Sequence, residues 1–129
     1  MRQKGASRPV FDASAILALL QGETGADQLY RLQPDALISA VNVAEVLAKL
    51  VSRGMPAAEA RAAFDALHLE TLAFDLAMAS LAVRFVGRNI SLGDRCFLAA
   101  AHLHGVGWTS DRELAPLLGK AAPPLKFFR

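Results

Sequence analysis

From residue 36 to residue 51 the chain reads Ala36-Leu37-Ile38-Ser39-Ala40-Val41-Asn42-Val43-Ala44-Glu45-Val46-Leu47-Ala48-Lys49-Leu50-Val51. A short apolar run, Ala36-Leu37-Ile38-Ser39, gives way to Val43, Val46, Leu47 and Leu50 at i, i+3, i+4 and i+7, with Glu45, Lys49 and Ser52 off that face. The first part reads as a buried strand and the second as an amphipathic helix, Asn42 to Val51. Gly54, two residues before Pro56, stops that helix and starts another from Met55-Pro56 to Leu67. The same order recurs on either side. Pro9-Val10-Phe11 precedes a helix over Ala13 to Leu20. The run Leu69 to Phe74 precedes a looser helical spacing, Leu76, Ala79, Leu81, Val83 and Val86. A helix through Cys96, Phe97, Leu98 and Ala101 leads to Val106-Gly107-Trp108-Thr109, and a short one from Asp111 to Leu118 leads to Pro124-Leu125-Lys126-Phe127. Strands alternating with helices predict an α/β layer fold around a mostly parallel sheet. The strands are apolar throughout, as expected when helices cover both faces. Pro9 lacks the N–H of an interior strand residue and is expected as the first residue of its strand.

Composition narrows the class further. A chain of 129 residues with 53% hydrophobic and 20% charged content suits one domain that buries roughly two thirds of its unfolded surface, and it excludes a disordered tail protein. Residues 1–8 read as a basic lead-in, 9–129 as the domain, and Ala121 to Pro124 as linker. One cysteine, Cys96, excludes an internal disulfide framework and predicts a reducing, cytoplasmic setting. Uncharged stretches such as Cys96 to Ser110 are broken by His102, His104, Gly105 and Gly107, and none offers the roughly 18 apolar residues of a membrane span. The start, Met1 to Arg8, lacks the apolar stretch and cleavage site of a secretory signal. A net charge of +2 is too small to identify a nucleic-acid binder by itself.

Four of the twelve acids follow one grammar, a carboxylate at or near a strand-to-helix junction. Asp12 closes Val10-Phe11 and opens the next helix. Glu45 falls in the first turn of the Asn42 to Val51 helix, Asp94 at the start of the helix through Cys96, and Asp111 at the start of the last helix. Each has a structural explanation, since acids at helix N-termini answer unpaired N–H groups and the macrodipole. Asn42-Val43-Ala44-Glu45 approximates a capping box, and Ser91-Leu92-Gly93-Asp94 is a variant with Asp in the Glu position. Asp75, after Leu72-Ala73-Phe74, is expected to be only a cap. Jointly the four say more. In a parallel sheet all such junctions lie at one edge, where ligands of open α/β folds collect. Two like charges about 4 Å apart repel by about 4 kcal/mol at an effective dielectric near 20, so four carboxylates need a cation or must take up protons. Hard oxygen ligands without His or Cys suit Mg²⁺ or Mn²⁺ rather than zinc. A metal-activated water and a neutralised phosphate then point to metal-dependent phosphodiester hydrolysis.

Four segments in order, Phe11-Asp12-Ala13-Ser14-Ala15, Ile38-Ser39-Ala40-Val41-Asn42-Val43-Ala44-Glu45-Val46, Ser91-Leu92-Gly93-Asp94-Arg95-Cys96 and Trp108-Thr109-Ser110-Asp111-Arg112, resemble the PIN-domain ribonucleases, and among them the VapC toxins of bacterial toxin–antitoxin pairs. The resemblance runs from about Val10 to the end of the sequence. It implies a three-layer α/β/α sandwich with a mostly parallel sheet of four to five strands. It also implies a Mg²⁺- or Mn²⁺-dependent endoribonuclease, a homodimer held inactive by a cognate, VapB-like antitoxin, with RNA as substrate. Asp12, Glu45, Asp94 and Asp111 match the family's acidic quartet as catalytic residues and metal ligands. Asp111 stands at the most variable of the four positions. Ser14 takes the hydroxyl position that accompanies the first aspartate, as support for the metal's water shell. The basic lead-in and Pro9 depart from the usual pattern.

Other residues carry weaker signals. Thr109 is a further candidate for supporting the site. Arg95 and Arg112 directly follow Asp94 and Asp111, so they are candidates for contact with RNA phosphates or are solvated helix-face charges. Arg2, Lys4, Arg8, Lys126 and Arg129 read first as solvated charges, with electrostatic grip on RNA as the alternative. His102 and His104 do not share a helix face and lack further zinc ligands, and a histidine-driven ribonuclease would need a second placed imidazole. Cys96 reads as a small buried hydrophobe and Trp108 as core. The apolar surface of the helices over Asn42 to Val51 and Pro56 to Leu67 meets either a partner protein or the domain's own core. The alternative to an enzyme is a non-catalytic RNA- or protein-binding module whose acids only cap helices. A receiver-type or phosphatase domain using Asp12 lacks the lysine and paired acids it would need.

Overall fold

In a computed structural model that describes residues 7–129, the described residues form five short strands, with two helices following each of the first three and one following the fourth. The strands are β1 (Arg8–Phe11), β2 (Leu37–Ser39), β3 (Glu70–Leu72), β4 (Gly105–Thr109) and β5 (Leu125–Phe127). The helices are α1 (Ala13–Gln21), α2 (Ala26–Leu32), α3 (Ala40–Ser52), α4 (Ala57–Asp65), α5 (Leu76–Ala82), α6 (Leu92–His104) and α7 (Leu114–Leu118). The sheet is parallel throughout, in the order β3-β2-β1-β4-β5. The chain winds from β1 outward to β3 and then returns to the other side, so β1 lies at the switch point where ligand crevices of such sheets open.

Successive strand residues face opposite layers. Phe11, Ile38 and Trp108 pack with α1 to α4 in one core, while Val10 and Leu37 pack with α5, α6 and Leu114 of α7 in the other. This is the expected α/β/α sandwich, and its covered faces explain why the inner strands show no polar alternation. Val46 and Leu50 of α3 and Ala60 and Phe64 of α4 are buried in the same core. Much of the apolar surface of these helices therefore belongs to the domain itself. A different apolar face is open: Phe74, Leu76, Val83, Val86 and Leu92 are exposed around α5 and the start of α6. Among the described residues no helix is long and apolar enough to cross a membrane.

Several expectations need correcting. Pro9 is the second residue of β1, after Arg8. The Asp12 amide donates to Trp108 O, so by strand alternation the Arg8 and Val10 amides also face β4, and the proline nitrogen faces β2. The β2 ladder begins only at Val10, so no donor is lost. Arg8 is no solvated tail: its guanidinium meets both carboxylate oxygens of Glu70 at 3.2 and 3.3 Å and donates from Nε to Asp35 O at 3.1 Å. The rest of the lead-in up to residue 6, with Arg2 and Lys4, lies outside the described residues. α3 begins at Ala40, directly off β2, with Ser39 as its N-cap. Asn42 is thus no cap, and Glu45 sits in the second turn. α7 begins at Leu114 rather than Asp111. α2 has no counterpart in the sequence pattern, because only Ala26 and Leu29 of its seven residues are buried. After α3, Gly54 turns the chain at φ 102°, a left-handed conformation that costs other residues strain.

Candidate functional site

The carboxyl-terminal ends of β1, β2 and β4 deliver Asp12, Ser39 and Thr109 to one edge of the sheet. Asp12 is the N-cap of α1, and its Oδ1 accepts from the Ala15 amide at 3.0 Å and from Ser14 Oγ at 2.6 Å. Ser14 Oγ in turn accepts from the Ser110 amide at 3.1 Å, tying the end of β1 to the end of β4. Thr109 is fully buried, hydrogen-bonds Asp12, and accepts from the Asp111 amide at 3.0 Å. These bonds favour the ionised carboxylate, yet burial outweighs them, and the charge of Asp94 adds to it. Together they push the Asp12 carboxyl from 3.8 up to about 6.

Asp94 enters from the start of α6. Ser91 Oγ accepts from the Asp94 amide and Asp94 Oδ2 accepts from the Ser91 amide, each at 3.1 Å, completing the expected capping box. Beside it, Gly93 is buried with no side chain to spare. A Cβ there would lie 2.3 Å from Glu45 Oε2 and 2.5 Å from its Cδ, so the Glu45 carboxylate rests directly on the first turn of α6. Asn42 Nδ2 donates to Glu45 Oε1 at 2.7 Å and to Gly93 O at 3.1 Å. Burial, with the Glu45 charge next, pushes the Cys96 thiol up, which leaves it a buried, protonated hydrophobe as expected.

Asp111 follows two residues after Thr109, at the end of β4. It is exposed, its Oδ1 accepts from the Glu113 amide at 3.1 Å, and it stabilises the turn before α7 rather than opening a helix. Both candidate arginines are engaged within the fold. Arg95 Nη1 donates to Ile90 O at 3.0 Å, closing the loop that leads into α6. Arg112 Nε donates to Arg129 O at 3.0 Å and its guanidinium lies 5.2 Å from the Phe127 ring. Asp75 caps α5 by accepting from the Met78 amide, as expected. Trp108 is core with Lys126 Nζ 5.6 Å from its ring, and His102 packs on Phe85 and meets Arg84.

Asp12, Asp94 and Glu45 thus line one edge, and among the described residues none of them forms a salt bridge. Their chemistry fits a hard divalent cation: all donors are oxygens, and a positive charge there would oppose both causes that raise Asp12. Among the described residues no group of three or more His, Cys, Asp or Glu side chains lies close enough together to hold a metal ion by itself; what links these acids is the charge of Asp94 acting on Asp12 and the seat of Glu45 on Gly93. Ser39, Asn42 and Gly93 are the contributors that sequence reasoning missed. Asn42 had a visible signal, its spacing of three before Glu45 on a helix; Gly93 had none, because its role is to leave room.

Comparison with known proteins gives a consistent result. Residues 10–115 match the family model described as PIN domain. The structure of DNA-bound VapBC from Salmonella typhimurium superimposes with a TM-score of 0.77 at 12% identity, covering 96% of this chain and 100% of that one. VapBC2 from Rickettsia felis, bound to a DNA fragment from its promoter, gives 0.71 at 13% identity over 92% and 97% of the two chains. A protein from Pyrobaculum aerophilum gives 0.63 at 19% identity over 95% and 91%. No curated protein matches the chain.

Proposed function

The chain belongs to the PIN domain family, and on that premise we propose that it is a metal-dependent endoribonuclease, the toxin of a toxin–antitoxin pair. The observation that carries this reading is the crowding at the end of β1. There the Asp12 carboxyl is raised to about 6 by burial and by the charge of Asp94, and Glu45 is seated on the residue before Asp94. Held by these carboxylates, a Mg²⁺ or Mn²⁺ would supply a water nucleophile and neutralise charge on the scissile phosphate. The chain's part is to hold the carboxylates. Ser14 and Thr109 orient Asp12, the capping box orients Asp94, and Asn42 orients Glu45. Asp111 is assigned as the fourth and outermost acid, and Ser14 and Thr109 as supporting hydroxyls. Arg95 and Arg112 reach RNA phosphates only if substrate draws them from their present partners.

The partners proposed are an RNA substrate, a VapB-like antitoxin and a second copy of the chain, in the cytoplasm. The fold neighbours come from structures of VapBC with DNA, and the exposed Leu76, Val83, Val86 and Leu92 suit a protein interface. Mn²⁺ titration followed by thermal unfolding tests the reading. Ligand linkage raises stability by about 2.7 kcal/mol at a metal concentration of about 100 Kd, and cleavage of RNA accompanies it. A flat melting temperature together with full cleavage by Asp94→Asn would reject it. The second reading, a non-catalytic binding module, has one observation in its favour: Asp12, Asp94 and Asp111 all already accept backbone N–H groups as caps or turns.

A further inference from the structure

Asn42 is almost completely buried, and its Oδ1 is the one buried side-chain oxygen or nitrogen among the described residues left without a hydrogen-bond partner. A leucine of nearly the same shape would fill the space between α3 and α6 without burying an unsatisfied carbonyl. What the asparagine provides is its Nδ2, which spans two acceptors on different elements. One is Glu45 Oε1 at 2.7 Å, one turn along α3, and the other is Gly93 O at 3.1 Å, in the first turn of α6. The amide orientation follows from those partners, because the reverse would set Oδ1 against two oxygens. The orphaned oxygen is therefore the consequence of aiming the nitrogen at Glu45.

The seat that receives Glu45 is shaped from the other side as well, by the missing Cβ of Gly93. Glu45 is otherwise an exposed side chain on the surface of a helix, which without a tether samples several rotamers. We infer that Asn42 is a positioning residue that clamps the Glu45 carboxylate over Gly93, the residue before Asp94, where it would be held for a divalent cation. This rests on the metal-dependent reading above. It assigns to α3 a task beyond supplying the acid itself: one turn of helix carries both the ligand and the group that fixes it.

Two thermodynamic cycles test this, each built from Asn42→Leu, Glu45→Ala and the double variant. The first measures urea unfolding of the metal-free protein. Whatever the sign of the change from packing, a clamp on Glu45 makes the effect of Asn42→Leu on the folding constant at least about threefold less favourable with Glu45 present than in the Glu45→Ala background, the coupling expected of residues in contact. Equal factors in the two backgrounds overturn the clamp, since a role confined to Gly93 or to packing is indifferent to Glu45. The second measures Mn²⁺ affinity by calorimetry. Asn42→Leu weakens it by about 10- to 100-fold, as loss of a ligand-orienting partner does, and by less than about twofold once Glu45 is gone. Equal losses in both backgrounds overturn the link to the cation. Failure of the unmodified chain to bind Mn²⁺ overturns the metal-dependent reading, and with it the clamp's assigned purpose, while the unfolding cycle still decides whether the clamp exists. Asn42→Ala, which removes the donor without adding bulk, takes the place of the leucine variant if that chain does not fold.

Discussion

The two ends of the parallel sheet treat charge in opposite ways. At the amino-terminal end, Arg8 enters β1 and its guanidinium grips both oxygens of Glu70 on β3 and the carbonyl of Asp35. Opposite charges are matched, and the strands are pinned side by side. At the carboxyl-terminal end, Asp12, Asp94 and Glu45 approach with no cationic partner among the described residues, and the raised Asp12 shows that like charge and burial are felt there. Helix N-termini and hydroxyls soften the repulsion without cancelling it. One end stabilises the fold, whereas the other accepts an electrostatic cost that a bound cation would remove.

The largest expected effect that would break this contrast lies in activity. Asp12→Asn and Asp94→Asn each lower RNA cleavage on the order of a thousandfold or more with the circular dichroism spectrum unchanged; retained cleavage would mean the acids are only caps. Next comes Gly93→Ala, whose Cβ cannot coexist with the present Glu45 carboxylate. Calorimetry should find Mn²⁺ affinity weakened by about 10- to 100-fold, a cost of about 1.4 to 2.7 kcal/mol.

A smaller effect concerns pH. Because the Asp12 carboxyl titrates at about 6 in the fold and at 3.8 ordinarily, the folded state binds more protons between those values, and this group's contribution to stability falls as pH rises through them. Urea unfolding of the metal-free protein should therefore find Asp12→Asn gaining about 2 kcal/mol on the unmodified chain between about pH 4 and pH 7. The same substitution that destroys cleavage would then stabilise the fold at neutral pH, as expected of strain held for function. The smallest effect belongs to the matched end. Glu70 is half exposed, so Glu70→Gln costs about 1 kcal/mol or less by urea unfolding, and less still in high salt.

Much of the layer structure was legible because strands covered on both faces leave unbroken apolar runs, as Val10-Phe11 and Leu37-Ile38 do. The capping box at Ser91 was legible for the same local reason. What escaped depended on distance in space. Asn42-Val43-Ala44-Glu45 looks like a cap, but β2 passes into α3 without a loop, so Ser39 takes that place and Asn42 is carried inside. Arg8 looked like tail because its partner Glu70 is far along the chain. Arg95 and Arg112 looked available because the carbonyls that hold them, Ile90 O and Arg129 O, belong to irregular segments that periodicity does not register. α2 escaped because a helix with two buried positions leaves little pattern.

The sheet's borders have a consequence for how copies of this chain can associate. β3 and β5 are each three residues long, and their outward positions include Glu70, Thr71 and Lys126. Borders so short and so charged make poor templates for a foreign strand, which guards against fibre-like stacking through the backbone. Any contact between copies would then fall to side chains on the helices, where a single complementary patch can close a finite assembly instead of an endless one.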